Sequence, residues 1–189
     1  MSVDSYKTML LNAFYDLDAF RQDWINGFTL SSGESSPFYV DCRVLMSYPY
    51  IRDMVATMAC WALRDKTYGA VGGLELGSIS LAQAISDKTQ VRSFIVRKEQ
   101  KNHGTGKRIE GAPITGPVII VDDVYTTGKS IVTAATVARD HGMQVTDALV
   151  IVDRSNRDWV EREQFKQDHG IIVHSLVTLR ELEEWKTMK

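Results

Sequence analysis

VIIVDDVYTTGKS, Val118 to Ser130, joins an apolar run to two adjacent acids and then to a short turn rich in hydroxyls and glycine. A run that is apolar at every position suits a parallel strand covered by helices on both faces. The strand is predicted to end at Asp122 and Asp123, after which Thr126, Thr127, Gly128, Lys129 and Ser130 open a helix. In open α/β sheets, ligands bind at the carboxyl ends of the strands. A helix start there offers unpaired N–H groups and a positive dipole end to a phosphate. Threonine and serine hydroxyls add donors, and Gly128 permits close backbone approach. Asp122 and Asp123 stand one turn away, where carboxylates accept hydrogen bonds from a sugar's vicinal hydroxyls. The rival reading of Gly128–Lys129–Ser130 is an ATP-binding loop, which needs a glycine five residues earlier; that position is Asp123, and the reading fails. Either half of the stretch alone is more often structural. Together they point to a phosphosugar.

Working outward, strands are predicted at 68–72, 91–96, 117–121, 145–152 and 171–177. Helices are predicted at 78–87, 130–141, 157–168 and 179–188, with Gly142 and Gly170 where two of them should end. Toward the N-terminus, Tyr6, Met9, Leu10, Ala13, Phe14 and Leu17 recur at helical spacing and predict a helix over 3–19. Phe28–Leu30 and Phe38–Asp41 are short β-type runs separated by SSGESSP, which reads as a hairpin or at least as two strands flanking a turn. Pro49 suits the first turn of a further helix. The expectation is one α/β domain over 1–189: a central, mostly parallel sheet flanked by helices, behind an N-terminal extension of about residues 1–45.

Composition narrows the function classes. The chain of 189 residues is 44% hydrophobic and 24% charged, ordinary for a globular protein. A net charge of −2 carries no signature of nucleic acid or an acidic membrane, and no apolar run is long enough to span a bilayer. Cys42 and Cys60 lack paired spacing and read as small hydrophobes in a reducing compartment, so the cytoplasm is the expected address. His141, His169 and His174 read as fillers of surface or core. One segment, RKEQKNHGTGKRIEGAP at 97–113, fits neither period, which marks a functional loop or a disordered one. From Arg97 to Glu110 its net charge is +3, leaving about −5 for the rest of the chain.

VIIVDDVYTTGKS resembles the phosphoribosyl pyrophosphate signature of type I phosphoribosyltransferases. Phe94 to Gly111, FIVRKEQKNHGTGKRIEG, resembles the catalytic loop of the orotate phosphoribosyltransferases within that family. Phe28 to Asp41 resembles their N-terminal segment near the base, and the similarity spans about residues 25–155. It implies the type I fold with a small N-terminal hood, and transfer of ribose 5-phosphate from phosphoribosyl pyrophosphate to orotate. Asp122 and Asp123 would hold the ribose hydroxyls, and Thr126, Thr127, Gly128, Lys129 and Ser130 the 5-phosphate. Arg97, Lys98, Lys101 and His103 would meet the pyrophosphate, with Lys101, His103 and Asp123 catalytic. Arg154 and Thr126 would fix orotate, and Phe38 and Tyr39 are candidates to wall its pocket. The resemblance also implies magnesium, held mainly through the substrate rather than by protein ligands, and a homodimer whose loop reaches a neighbouring site. Two lysines common in relatives are missing, since Ser31 and the lysine-free GGLELGS of Gly72–Ser78 stand in their places. The alternatives are a phosphoribosyltransferase for another base and a regulator that binds the donor without turning it over. A bifunctional enzyme has no room in this length for a second barrel domain.

Overall fold

The computed structural model describes residues 2–29, 35–99, 107–155 and 159–187. The chain opens with helix α1 (Val3–Asp16), whose Ser2 side chain caps the Ser5 N–H and whose Leu10, Leu11 and Phe14 are buried. The predicted helix is shorter than expected because Asp18 turns into the left-handed region at φ 53°, a conformation that aspartate tolerates better than most residues. Strand β1 (Phe20–Gln22) follows, then β2 (Phe28–Thr29), β3 (Ser35–Ser36) and β4 (Phe38–Val40). The expected hairpin is only half right. Phe28–Thr29 pairs with Ser35–Ser36, whereas Phe38–Val40 pairs with Phe20–Gln22.

Helices α2 (Cys42–Met46) and α3 (Pro49–Ala62) lead into the core, with Pro49 in the first turn as predicted. There strand and helix alternate: β5 (Ala70–Leu74), α4 (Gly77–Thr89), β6 (Arg92–Val96), β7 (Ile109–Glu110), β8 (Gly116–Tyr125), α5 (Lys129–Asp140), β9 (Met143–Asp153), α6 (Trp159–His169), β10 (Ile172–Thr178) and α7 (Leu179–Thr187). The six-stranded sheet runs β10-β9-β8-β5-β6-β7, parallel throughout except for β7, which lies antiparallel on β6. The alternation of side chains along a strand divides the core in two. Ile119 and Val121 pack on one face with α1, α3 and α4, while Val118 and Ile120 pack on the other with Ile131, Ala134 and Ala138 of α5. Both faces are covered, which is why these strands read as unbroken apolar runs.

Two sequence readings change. Ile109, the lone large apolar residue of the 97–113 loop, anchors the two-residue β7 against Val96. His174 is no filler: its Nε2 lies 2.7 Å from the carboxylate of buried Asp147, which Lys66 also reaches at 2.7 Å. Among the described residues, no helix is long and apolar enough to cross a membrane.

Candidate active site at the ends of β5, β8 and β9

The chain leaves β5 for β6 on one side and returns to β8 on the other, so the crevice beyond β5 and β8 is the switch point where such sheets bind ligands. Register defines its floor. β8 pairs with β5 only as far as Ile120, but with β9 as far as Tyr125. The strand therefore does not stop at Val121. It carries Asp122 and Asp123 past the end of its ladder with β5, with their backbone still held by β9.

Both acids pay for this position in solvation. Burial, and next the charge of Asp123, push the Asp122 carboxyl up to about 7, while the Lys98 ammonium acts the other way. Burial also raises Asp123, against the Val124 N–H that its Oδ1 accepts at 2.8 Å. The Asp123 carboxylate lies so close to the start of α4 that a Cβ on Gly77 would meet it at 2.6 Å. From α2, the buried Cys42 thiol faces the Asp123 carbonyl at 3.8 Å.

The next turn is built for an anion. Gly128 is the N-cap of α5 at φ 82°, and no side chain caps the helix. The first-turn N–H groups have no partner within the helix, and Thr126, Thr127, Lys129 and Ser130 are all exposed around them. Thr127 Oγ1 accepts the Lys129 N–H at a long 3.4 Å.

Arg154 follows β9. Its N–H donates to the Tyr125 carbonyl at 2.8 Å, tying the end of β9 to the turn before α5. Its guanidinium donates to Ser36 Oγ at 2.9 Å and the Phe38 carbonyl at 3.3 Å, in the hood. Among the described residues it has no carboxylate partner, and burial holds it below the usual arginine range. Phe38 itself packs in the hood, stacked on Phe20 and edge-on to Trp24, so its carbonyl rather than its ring turns to Arg154. Tyr39 packs on Phe28 and donates its hydroxyl to Asp41.

The basic loop is only partly in view. Arg97 pairs with Glu110 at 3.4 Å along the sheet edge, and Lys98 donates its backbone N–H to Glu75 at 3.0 Å in the turn after β5. Lys101 and His103 lie outside the described residues. Sequence reasoning missed Arg43, which grips Asp41 through Nε at 2.9 Å and Nη2 at 3.0 Å and whose charge is felt at Asp123. Only its spacing from Asp41, the N-cap of α2, could have flagged it.

A raised carboxyl has a stability signature. Below the ordinary carboxylate range Asp122 is protonated in both folded and unfolded chains. Between that range and about 7 the unfolded chain releases a proton that the fold keeps, so stability falls as pH rises through this window. Asp122→Asn is expected to stabilise the fold at about pH 8 and to change it little at about pH 4. Denaturant unfolding at both pH values checks this; an equal effect at the two would contradict the raised carboxyl.

No family model matches the chain. Similar proteins are nonetheless clear. The chain is 38% identical over 154 residues to an orotate phosphoribosyltransferase of Pyrococcus abyssi, covering 79% of this chain and 85% of that one. The crystal structure of the Aeropyrum pernix orotate phosphoribosyltransferase superposes with a TM-score of 0.81 at 30% identity, covering 96% of this chain and 99% of that one. The Mycobacterium tuberculosis orotate phosphoribosyltransferase, in complex with 5-phospho-alpha-D-ribosyl 1-diphosphate, superposes at 0.72 with 28% identity, covering 94% and 99%. With relatives this similar along most of their length, and with an acid pair and an uncapped helix start at the switch point of a mostly parallel sheet, the chain belongs to the orotate phosphoribosyltransferase family.

Proposed function

We infer that the protein transfers ribose 5-phosphate from phosphoribosyl pyrophosphate to orotate, releasing pyrophosphate and forming orotidine 5'-monophosphate. One observation carries the residue roles. A helix start whose N-cap is a glycine, an acid pair with Asp122 buried and Asp123 half-buried, and an arginine without a carboxylate partner among the described residues converge on the ends of β8 and β9. In this reading the 126–130 turn binds the 5-phosphate, with the first-turn N–H groups of α5 and the hydroxyls of Thr126, Thr127 and Ser130 as donors. Asp122 and Asp123 accept hydrogen bonds from the ribose hydroxyls. Arg154 offers its planar guanidinium to the orotate carboxylate, supported by Thr126, with the hood of residues 1–45 closing the base side. Phe38 serves from within the hood, by shaping the segment that Arg154 holds, and Tyr39 flanks it.

Charge builds on the leaving pyrophosphate as the anomeric carbon becomes cation-like and a nitrogen of orotate attacks it. Arg97, Lys98, Lys101 and His103 of the 97–113 loop supply the matching positive charge and exclude water, and His103 offers a proton to the departing phosphate. Asp123 steadies the sugar while this charge develops. The donor set fits magnesium brought in with the substrate. Among the described residues no group of three or more His, Cys, Asp or Glu forms a cage, and Asp122 and Asp123 are the carboxylates at the crevice. Bound there, magnesium would neutralise charge on the pyrophosphate. A homodimer in which the loop serves a neighbouring site, acting in the cytoplasm, completes the proposal.

The test mixes protein, orotate, phosphoribosyl pyrophosphate and magnesium and follows orotate absorbance. Loss that needs every component is expected; no loss, with turnover of another base, would reassign the acceptor. Arg154→Ala should raise KM for orotate about tenfold or more, the scale of a lost hydrogen bond to a charged group, and alter KM for the donor less. Equal effects on both substrates would count against the carboxylate role. Lys101→Ala should chiefly lower kcat, because its loop acts in the transition state. Wild-type turnover in that variant would remove the loop from the chemistry.

A further inference from the structure

Helix α6 looks like an unremarkable surface helix. Of its side chains from 161 to 169, only Phe165 is buried. The residue that Phe165 meets is Gly128, across the sheet end. A Cβ on Gly128 would lie 2.5 Å from Phe165 Cε2 and 2.8 Å from Tyr125 Cε2, so the glycine backbone rests directly on the two rings. The rings themselves meet edge-on, 5.6 Å apart and at 86°, and His169 closes on the far side of Phe165 at 4.6 Å. Beside Phe165 lies a hollow of about 230 Å³ lined by Tyr125, Asp153, Phe165, Ile172 and Val173 among others. Arg162 of the same helix forms an ion pair with buried Asp153. The same Asp153 carboxylate accepts Ser155 N–H at 2.8 Å, immediately beyond Arg154.

These contacts have one thing in common. Gly128 adopts a left-handed φ at the N-cap of α5 and has no side chain to cap the helix or to hold that shape. What lies against it is the aromatic pair of Phe165 and Tyr125. We propose that Phe165 is a positioning residue for the phosphate turn: its ring, anchored by α6 and paired with Tyr125, props Gly128 in the shape that presents the first-turn N–H groups of α5 to a phosphate. Phe165 touches no substrate and acts through the glycine. The inference rests on the phosphoribosyl reading of the 126–130 turn.

The consequence is selective. Phe165→Ala removes the prop, and Phe165→Leu keeps apolar bulk and the fold but loses the flat edge under Gly128. Both are to be titrated with ribose 5-phosphate and, separately, with pyrophosphate, which lacks the 5-phosphate. Weaker ribose 5-phosphate binding is expected, about tenfold for the alanine and less for the leucine, with pyrophosphate affinity unchanged. In turnover, KM for phosphoribosyl pyrophosphate should rise while kcat stays within about twofold. Unchanged ribose 5-phosphate binding in the folded leucine and alanine variants, or an equal loss for both ligands, overturns the proposal. Gly128→Ala separates the two levels of inference. If it weakens ribose 5-phosphate and the Phe165 variants do not, the prop is wrong and the phosphate turn stands. If Gly128→Ala also leaves that affinity intact, the phosphate reading of the turn falls and the prop with it.

Discussion

The site depends on the β8 ladder to β9 outlasting its ladder to β5. Parallel pairing with β5 stops at Ile120, and the ladder to β9 continues to Tyr125. Beyond Ile120 the end of β8 is held in strand geometry by β9 alone, and the crevice opens where the ladder to β5 stops. Without the β9 ladder, Asp122 and Asp123 would sit in a loop, solvated and with ordinary acidity. With it they are withdrawn from water. Desolvation disfavours the charged form of a carboxyl, and Asp122 rises to about 7 as a result. That penalty is one the fold tolerates because the backbone has no freedom to turn the acids outward.

The same ladder brings the other parts together. Tyr125, the last paired residue of β8, accepts the Arg154 N–H, lies against Phe165 and underlies Gly128. Arg154 then reaches across to Ser36 and Phe38 of the hood. Acid pair, phosphate turn and hood are thus fixed relative to one strand end and not by separate loops. This suits a reaction with little covalent work for the protein to do, where orienting two substrates and matching developing charge supply most of the rate.

Much of this was legible in the residues. Val118–Ser130 reads as strand, acids, turn and helix because apolar runs, glycine and hydroxyls each carry a local signal, and the fold class follows from repeating that pattern. The parts that failed depend on partners distant in sequence. Phe38–Val40 pairs with Phe20–Gln22 rather than with Phe28–Thr29, and nothing local distinguishes the two partners. The extension of β8 to Tyr125 is set by the length of β9, since adjacent acids otherwise end an apolar run. Arg97 opens a segment that fits neither period, yet Glu110 meets it once β7 folds back on β6. Phe165 is one of two large aromatics, with Trp159, on a mostly polar helix, and its meaning appears only when Gly128 is placed above it.

The central claim is that the end of β8 binds the phosphoribosyl donor. Calorimetric titration of phosphoribosyl pyrophosphate with magnesium, into the wild-type protein and into the Asp122→Asn, Asp123→Asn double variant, tests it most directly. The account predicts saturable binding to the wild type and its loss in a double variant that remains folded. Donor binding of equal affinity in both proteins would contradict it and move the site elsewhere on the sheet.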